Sequence, residues 1–170
     1  MQPFIRVTGK AAPMLAANTD TDVIMPKQFL KGIDRAGLDR GLFFDLRFLP
    51  SGEPNPDFIL NQPGWQGAKF LVTGPNFGCG SSREHAVWGL KQMGIQALIG
   101  SSFAGIFYDN CQRNGVLTIV LDEAQVQALG RVISQADSAH IEVDLPAQEI
   151  RLQDGHVIPF KIDELRKNAL

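Results

Sequence analysis

Cysteine is scarce in this chain of 170 residues: Cys79 and Cys111 are the only two. That number is too small for a cysteine-ligated iron–sulfur cluster or a four-ligand zinc site unless other residues or another chain contribute. Their spacing matches no metal motif, and a cytosolic chain seldom keeps a structural disulfide. No metal bound by this chain is therefore expected. Cys111 falls in an apolar helical pattern and reads as a small buried filler. Cys79 lies in a glycine loop. Excess positive charge is also missing. The formal charge is −2 and no lysine/arginine cluster runs along a face, so nucleic-acid binding lacks its electrostatic footprint. No apolar run is long enough for a bilayer, and Met1-Gln2-Pro3-Phe4-Ile5-Arg6-Val7 lacks the basic-then-apolar order of a secretory leader. No membrane association and a cytoplasmic location are expected.

What is present is ordinary for a globular protein, with 44% hydrophobic and 20% charged residues. The length suits a single domain, residues 1–170, with a substantial core. Repeats and low-complexity segments are absent from the sequence.

The densest chemistry lies in Asn76-Phe77-Gly78-Cys79-Gly80-Ser81-Ser82-Arg83-Glu84-His85. A strand-like run, residues 69–73, precedes it and a helical pattern, about 82–93, follows. Helix N-termini offer unpaired backbone N–H groups and positive partial charge, which favour anions. Arg83 adds a planar fork suited to carboxylate or phosphate. The same residues also satisfy a capping box, Ser81 as N-cap and Glu84 reaching back. Two familiar templates do not fit. A dinucleotide fingerprint wants glycine where Arg83 stands, and a nucleophile elbow wants glycines where Cys79 and Arg83 stand.

Around this loop the pattern predicts an α/β fold. Residues 4–7 read as a first strand, and Pro26 opens a short helix over 27–30. Residues 31–56, rich in glycine and proline, form the least regular stretch, a length of connection that is usually functional or mobile. Residues 96–100 and 116–120 read as strands. Between them lies a helix carrying Phe103, Ile106, Phe107 and Cys111, capped by Ser102 and stopped near Asn114-Gly115. Asp122 with Gln125 resembles a second capping box, opening a helix to about residue 135. This alternation implies a parallel βαβαβ core with right-handed crossovers. Alternating Ile141, Val143, Leu145 and then Ile150, Leu152 predict an added antiparallel β portion. Asp154-Gly155 supplies a two-residue hairpin turn, and residues 162–168 a closing helix.

The ten residues 76–85 resemble the signature of the aconitase superfamily's swivelling domain, and within it the small subunits of isopropylmalate isomerases. Three further blocks support the resemblance in the family's order: Asn18-Thr19-Asp20-Thr21-Asp22-Val23-Ile24-Met25-Pro26-Lys27-Gln28-Phe29-Leu30; Leu42-Phe43-Phe44-Asp45-Leu46-Arg47, where the family often has tryptophan at Leu46; and Ser101-Ser102-Phe103-Ala104-Gly105-Ile106-Phe107-Tyr108-Asp109-Asn110-Cys111. Together they span most of residues 4–120. The resemblance implies a β/β/α swivelling-domain architecture with a variable substrate-recognition loop at about 31–56. It also implies a hydro-lyase that isomerises 2- and 3-isopropylmalate, hydroxy-dicarboxylates of leucine biosynthesis, by dehydration and rehydration. In that family a 4Fe–4S cluster binds substrate. With two cysteines here, the cluster is expected on a separate large iron–sulfur subunit, the implied partner.

By motif position, Ser81 is the implied base for the carbon-bound proton, and Ser82 and Arg83 are carboxylate ligands. Asp22 matches an active-site aspartate that orients Ser81 or Arg83, or else is an Asx-turn acceptor. Arg35 matches a substrate-binding arginine, or is a solvated surface cation. Thr21 is a loop hydrogen-bonder or lines the site. Gly78, Gly80, Glu84 and His85 support the loop, His85 as a hydrogen-bonded second-turn residue rather than an acid. Apolar residues of 30–44 either receive an isopropyl group or pack the core. A free hydroxyl is too weak an acid to act as a base near neutral pH. A helix N-terminus supplies only about 0.3–2 kcal/mol, so Arg83 and a dry interface must do the rest.

Rival readings remain. Small subunits of homoaconitate, citraconate/methylmalate or dimethylmaleate hydro-lyases share the signature. A non-catalytic anion-binding module would use the same loop. A serine hydrolase drawing on His140 or His156 lacks both an elbow and a placed triad.

Overall fold

The computed structural model describes residues 4–30, 37–81 and 83–162. In chain order its elements are β1 (Arg6–Met14), the one-turn helix α1 (Thr21–Ile24), α2 (Phe44–Arg47), β2 (Phe70–Thr73), α3 (Glu84–Met93), β3 (Ala97–Gly100), α4 (Gly105–Arg113), β4 (Leu117–Val120), α5 (Glu123–Ile133), β5 (His140–Asp144), β6 (Glu149–Leu152) and β7 (Val157–Pro159), with several 3₁₀ turns between. The strands form one hydrogen-bonded sheet in the order β4-β3-β2-β1-β5-β6-β7. Strands β4 to β1 run parallel, and β5 to β7 continue the sheet antiparallel. The expected α/β class, a parallel core with an antiparallel extension, is what the chain adopts.

β1 joins the two halves. Its first five residues pair with β5, Arg6 opposite Asp144 through Lys10 opposite His140, and its last four pair with β2, Ala11 opposite Phe70 through Met14 opposite Thr73. Sequence patterning ends this strand at residue 7, because Gly9, Lys10 and Pro13 carry no strand signal. The structure shows why Pro13 is tolerated. The carbonyls of Lys10 and Met14 accept from Lys69 and Gly74 on the β2 side, while Ala11 N–H points the opposite way to Ala139 O at 2.8 Å. Pro13 shares that opposite side, beyond the point where β5 pairing ends, so its missing N–H breaks no ladder bond.

The two faces of the parallel strands bury separate cores, as period-two alternation requires. Phe70, Val72, Ile99, Leu117 and Ile119 pack with α5 and with Ile141, Val143 and Ile150 of the antiparallel arm. Leu71 and Leu98 face the other way, against Val87 and Leu90 of α3, Phe107 and Cys111 of α4, and Leu38, Leu42 and Phe43. Leu42 and Phe43 are fully buried, so they are core, not an open wall for substrate. Burial pushes the Cys111 thiol pKa far up, in keeping with its role as filler.

Several local expectations change. α3 starts at Glu84, not Ser82, because Arg83 in extended conformation is its N-cap and lends no side-chain bond. The Ser81–Glu84 capping box does not form; Glu84 instead meets Arg113 at 3.3 Å. Ser102 does not cap α4, whose N-cap is Ala104; its hydroxyl accepts from Asn76 N–H at 2.8 Å. The capping box of Asp122 and Gln125 is present in both directions and opens α5. Between β6 and β7 the turn holds three residues rather than two. Leu152 N–H donates to His156 O, and Gly155 takes the left-handed conformation (φ 93°). The predicted closing helix lies mostly outside the described residues.

Candidate active site

Strands β1, β2 and β3 are parallel, so the loops that follow them emerge along one edge of the sheet. In open α/β folds that edge is where ligands bind. The glycine loop after β2 lies between the other two. On one flank Asn18 N–H donates to Pro75 O (2.9 Å) and Gly78 N–H to Thr19 O (2.8 Å). On the other, Phe77 N–H donates to Ser102 O (3.4 Å) and Ala104 N–H to Phe77 O (3.0 Å). Asn76, itself left-handed, also reaches Asn18 through its side-chain amide at 3.0 Å. Gly78 has φ +85°, and a Cβ there would lie 2.2 Å from the Phe107 ring, so only glycine fits.

The polar cluster of residues 18–22 makes the turn that organises this loop. Asp20 is the N-cap of α1, its carboxylate accepting from Val23 N–H at 2.9 Å. The local turn role considered for Asp22 thus belongs to Asp20. Asp22 points outward and pairs with the Arg83 guanidinium, which is also what holds its carboxyl below the usual carboxylate range. Arg83 is 12% exposed at its side chain and Asp22 is 54% exposed, so the aspartate stands on the solvent side of the pair. Thr21 is buried and does not line the site: its N–H donates to Cys79 O (2.9 Å) and its hydroxyl to Ser81 O (2.7 Å).

Ser81 is exposed on this rim, next to exposed Gly80 and half-buried Cys79. The structure therefore gathers Thr21, Asp22, Gly78, Gly80, Ser81 and Arg83. Ser82 and Arg35 lie outside the described residues. Glu84 and His85, in the first turn of α3, face away from this pairing. Glu84 meets Arg113, and the His85 ring lies 4.8 Å from that of Trp88, whose indole N–H donates to Asn114 Oδ1 at 3.1 Å. His85 is thus a first-turn residue whose ring meets that of Trp88 at a tilt of 56°. Sequence reading missed Arg113 as the partner of Glu84, and Asn18, Asn76 and Ser102 as ties between loops. Only the fold brings these positions together. Among the described residues, no three His, Cys, Asp or Glu side chains gather in a way that could hold a metal ion.

Comparison with known proteins now places the chain. A family model described as the aconitase C-terminal domain matches residues 1–124, and one described as LeuD_N matches residues 131–164. The chain belongs to the aconitase C-terminal domain family. Its relatives include small subunits of 3-isopropylmalate dehydratase. That of Mannheimia succiniciproducens (small subunit 1) is 63% identical over 170 residues, covering 100% of this chain and 84% of that protein. Small subunit 2 of Salmonella typhimurium is 61% identical over the same residues, 81% of its length, and the small subunit from Agrobacterium fabrum is 49% identical over 85% of its length. The crystal structure of a 3-isopropylmalate dehydratase from Methanocaldococcus jannaschii superposes with a TM-score of 0.71 at 28% identity, covering 96% of this chain and 86% of that one.

Proposed function

We propose that this chain is the small subunit of a 3-isopropylmalate dehydratase, a hydro-lyase that interconverts 2- and 3-isopropylmalate in leucine biosynthesis. The observation that carries this reading is the 63% identity spread over the full 170 residues. The loop geometry supports it: a solvent-facing serine and a guanidinium held ready by a carboxylate stand on one rim. The cluster is assigned to a large subunit, which supplies a Lewis acid for the departing hydroxyl.

This chain's own residues do the rest. Ser81, as alkoxide, takes the proton from the carbon next to the one bearing the hydroxyl. The C–H electrons become the alkene bond as hydroxide leaves, and the reverse steps add water with the hydroxyl on the other carbon. Arg83, with Ser82 and Arg35 by motif position, binds substrate carboxylates, and Asp22 fixes the direction of the Arg83 fork. The loop at about 31–56 shapes the pocket for the branched alkyl group.

Ser81's exposure sets a condition. In water a serine alkoxide is too unstable near neutral pH to serve as base. The first turn of α3 begins three residues later, beyond the range of a strong dipole effect. The site must therefore be covered before Ser81 can act, and the large subunit is the cover. Ser81→Ala, assembled with the large subunit, is expected to lose about 10²–10⁴-fold in kcat, the usual contribution of a positioned base. Wild-type turnover by that assembled variant would remove Ser81 from the mechanism.

A further inference from the structure

We infer that Thr21 is a positioning residue for Ser81, acting through its side-chain hydroxyl. The inference rests on the proposed role of Ser81 as base. Thr21 is 1% exposed, so it cannot touch substrate without a rearrangement of the loop. It makes two bonds to one short stretch of the glycine loop. Its N–H reaches Cys79 O at 2.9 Å and its Oγ1 reaches Ser81 O at 2.7 Å. The two carbonyls stand on either side of Gly80, which is left-handed at φ +93°. Gly80 and Ser81 thus form an arch pinned at both ends by one residue. At the pinned end the peptide plane of Ser81 is fixed, and with it the direction in which its Cα–Cβ bond leaves the loop.

The arch needs this support. Gly80 is the residue type with the widest backbone freedom, so an untied Gly80–Ser81 pair would sample several orientations. The backbone bond to Cys79 survives any substitution at Thr21, but the bond to Ser81 does not. Asp22 holds Arg83 by a separate contact. Carboxylate binding and serine orientation are therefore governed by adjacent but different side chains. Loss of the Thr21 hydroxyl should slow proton removal and leave substrate binding nearly intact.

The test uses the small subunit assembled with its large subunit, and 2-isopropylmalate with hydrogen or deuterium on its methylene carbon. Thr21→Val keeps the shape and deletes the hydroxyl; Thr21→Ser keeps the hydroxyl. The valine variant is expected to show kcat lower by about 10–100-fold, the scale of an ångström-level misplacement. Its KM should stay within about twofold, and its primary isotope effect on kcat should rise as proton removal becomes limiting. The serine variant should recover to within about threefold of wild type. A valine variant with wild-type kcat and isotope effect would overturn the inference. So would failure of both Thr21→Val and Thr21→Ala to assemble while Thr21→Ser assembles, because the hydroxyl would then serve the fold. Ser81→Ala measured alongside separates the two claims. If it remains active, the reading of Ser81 fails. If it is inactive while Thr21→Val is normal, only the role of Thr21 fails.

Discussion

Asp144 shows how much one side chain contributes away from the site. It is almost fully buried at the end of β5, accepting from Ala147 N–H at 3.0 Å and pairing with Arg6 (3.2 Å) and Arg151 (3.1 Å). The Ala147 N–H first, and then the two guanidinium groups, hold its carboxyl below the ordinary value of 3.8. A depressed carboxyl stabilises the fold fully above the unfolded-state pKa, and that stabilisation is lost as pH falls through the folded-state value. Asp144→Asn should therefore cost roughly 1.5–3 kcal/mol near neutral pH, the scale of hydrogen bonds to a charged group. The two melting curves should converge as pH drops below the normal carboxylate range. A pH-independent difference in Tm would show that the charge is not what Asp144 contributes. Residue roles of this kind were partly legible in the sequence. Asp20, Thr21 and Asp22 stood out as a polar cluster, and the cap Asp20 makes to Val23 is local, but which one buried its hydroxyl and which one met Arg83 depended on a segment sixty residues away.

At the scale of elements, the sequence was most readable where local chemistry and tertiary packing agree. The Asp122–Gln125 box opens α5, and Ile141, Val143, Ile150 and Leu152 alternate as β5 and β6 require. Reading failed where a long-range contact overrides the local signal. The long β1 carries Pro13 because its partner strands are staggered, and the Ser81–Glu84 box does not form where Thr21 holds Ser81 O and Arg113 draws Glu84 away. The glycine loop is the element where this matters most, since it lies against α4 with no space to spare. Gly78→Ala would place a methyl 2.2 Å from the Phe107 ring at a left-handed φ. Overpacking of this kind costs about 1–3 kcal/mol, with backbone strain added to it. The expected result is a lower Tm together with a loss of turnover in the assembled enzyme. Unchanged Tm and turnover would mean that the loop does not depend on this close approach.

The molecule as a whole fits the proposal that this chain is inert alone. Its sheet edge presents Ser81 to solvent, the Arg83 guanidinium is engaged by Asp22, and of its two cysteines one is half-buried in the loop and one sealed in the core. On the proposed reading, a large subunit is required twice, to exclude water from Ser81 and to bring the cluster. That dependence is legible in the composition, because two cysteines cannot ligate a 4Fe–4S cluster. How the loops meet to present Ser81 is not, since it arises from three strands ending on one edge. The most direct measurement is turnover of 2-isopropylmalate by this chain alone, by the iron–sulfur large subunit alone, and by the two together. The account predicts isomerisation only in the mixture, at a rate set by the concentration of the complex. Full activity from this chain by itself, or none from a verified complex carrying an intact cluster, would contradict it.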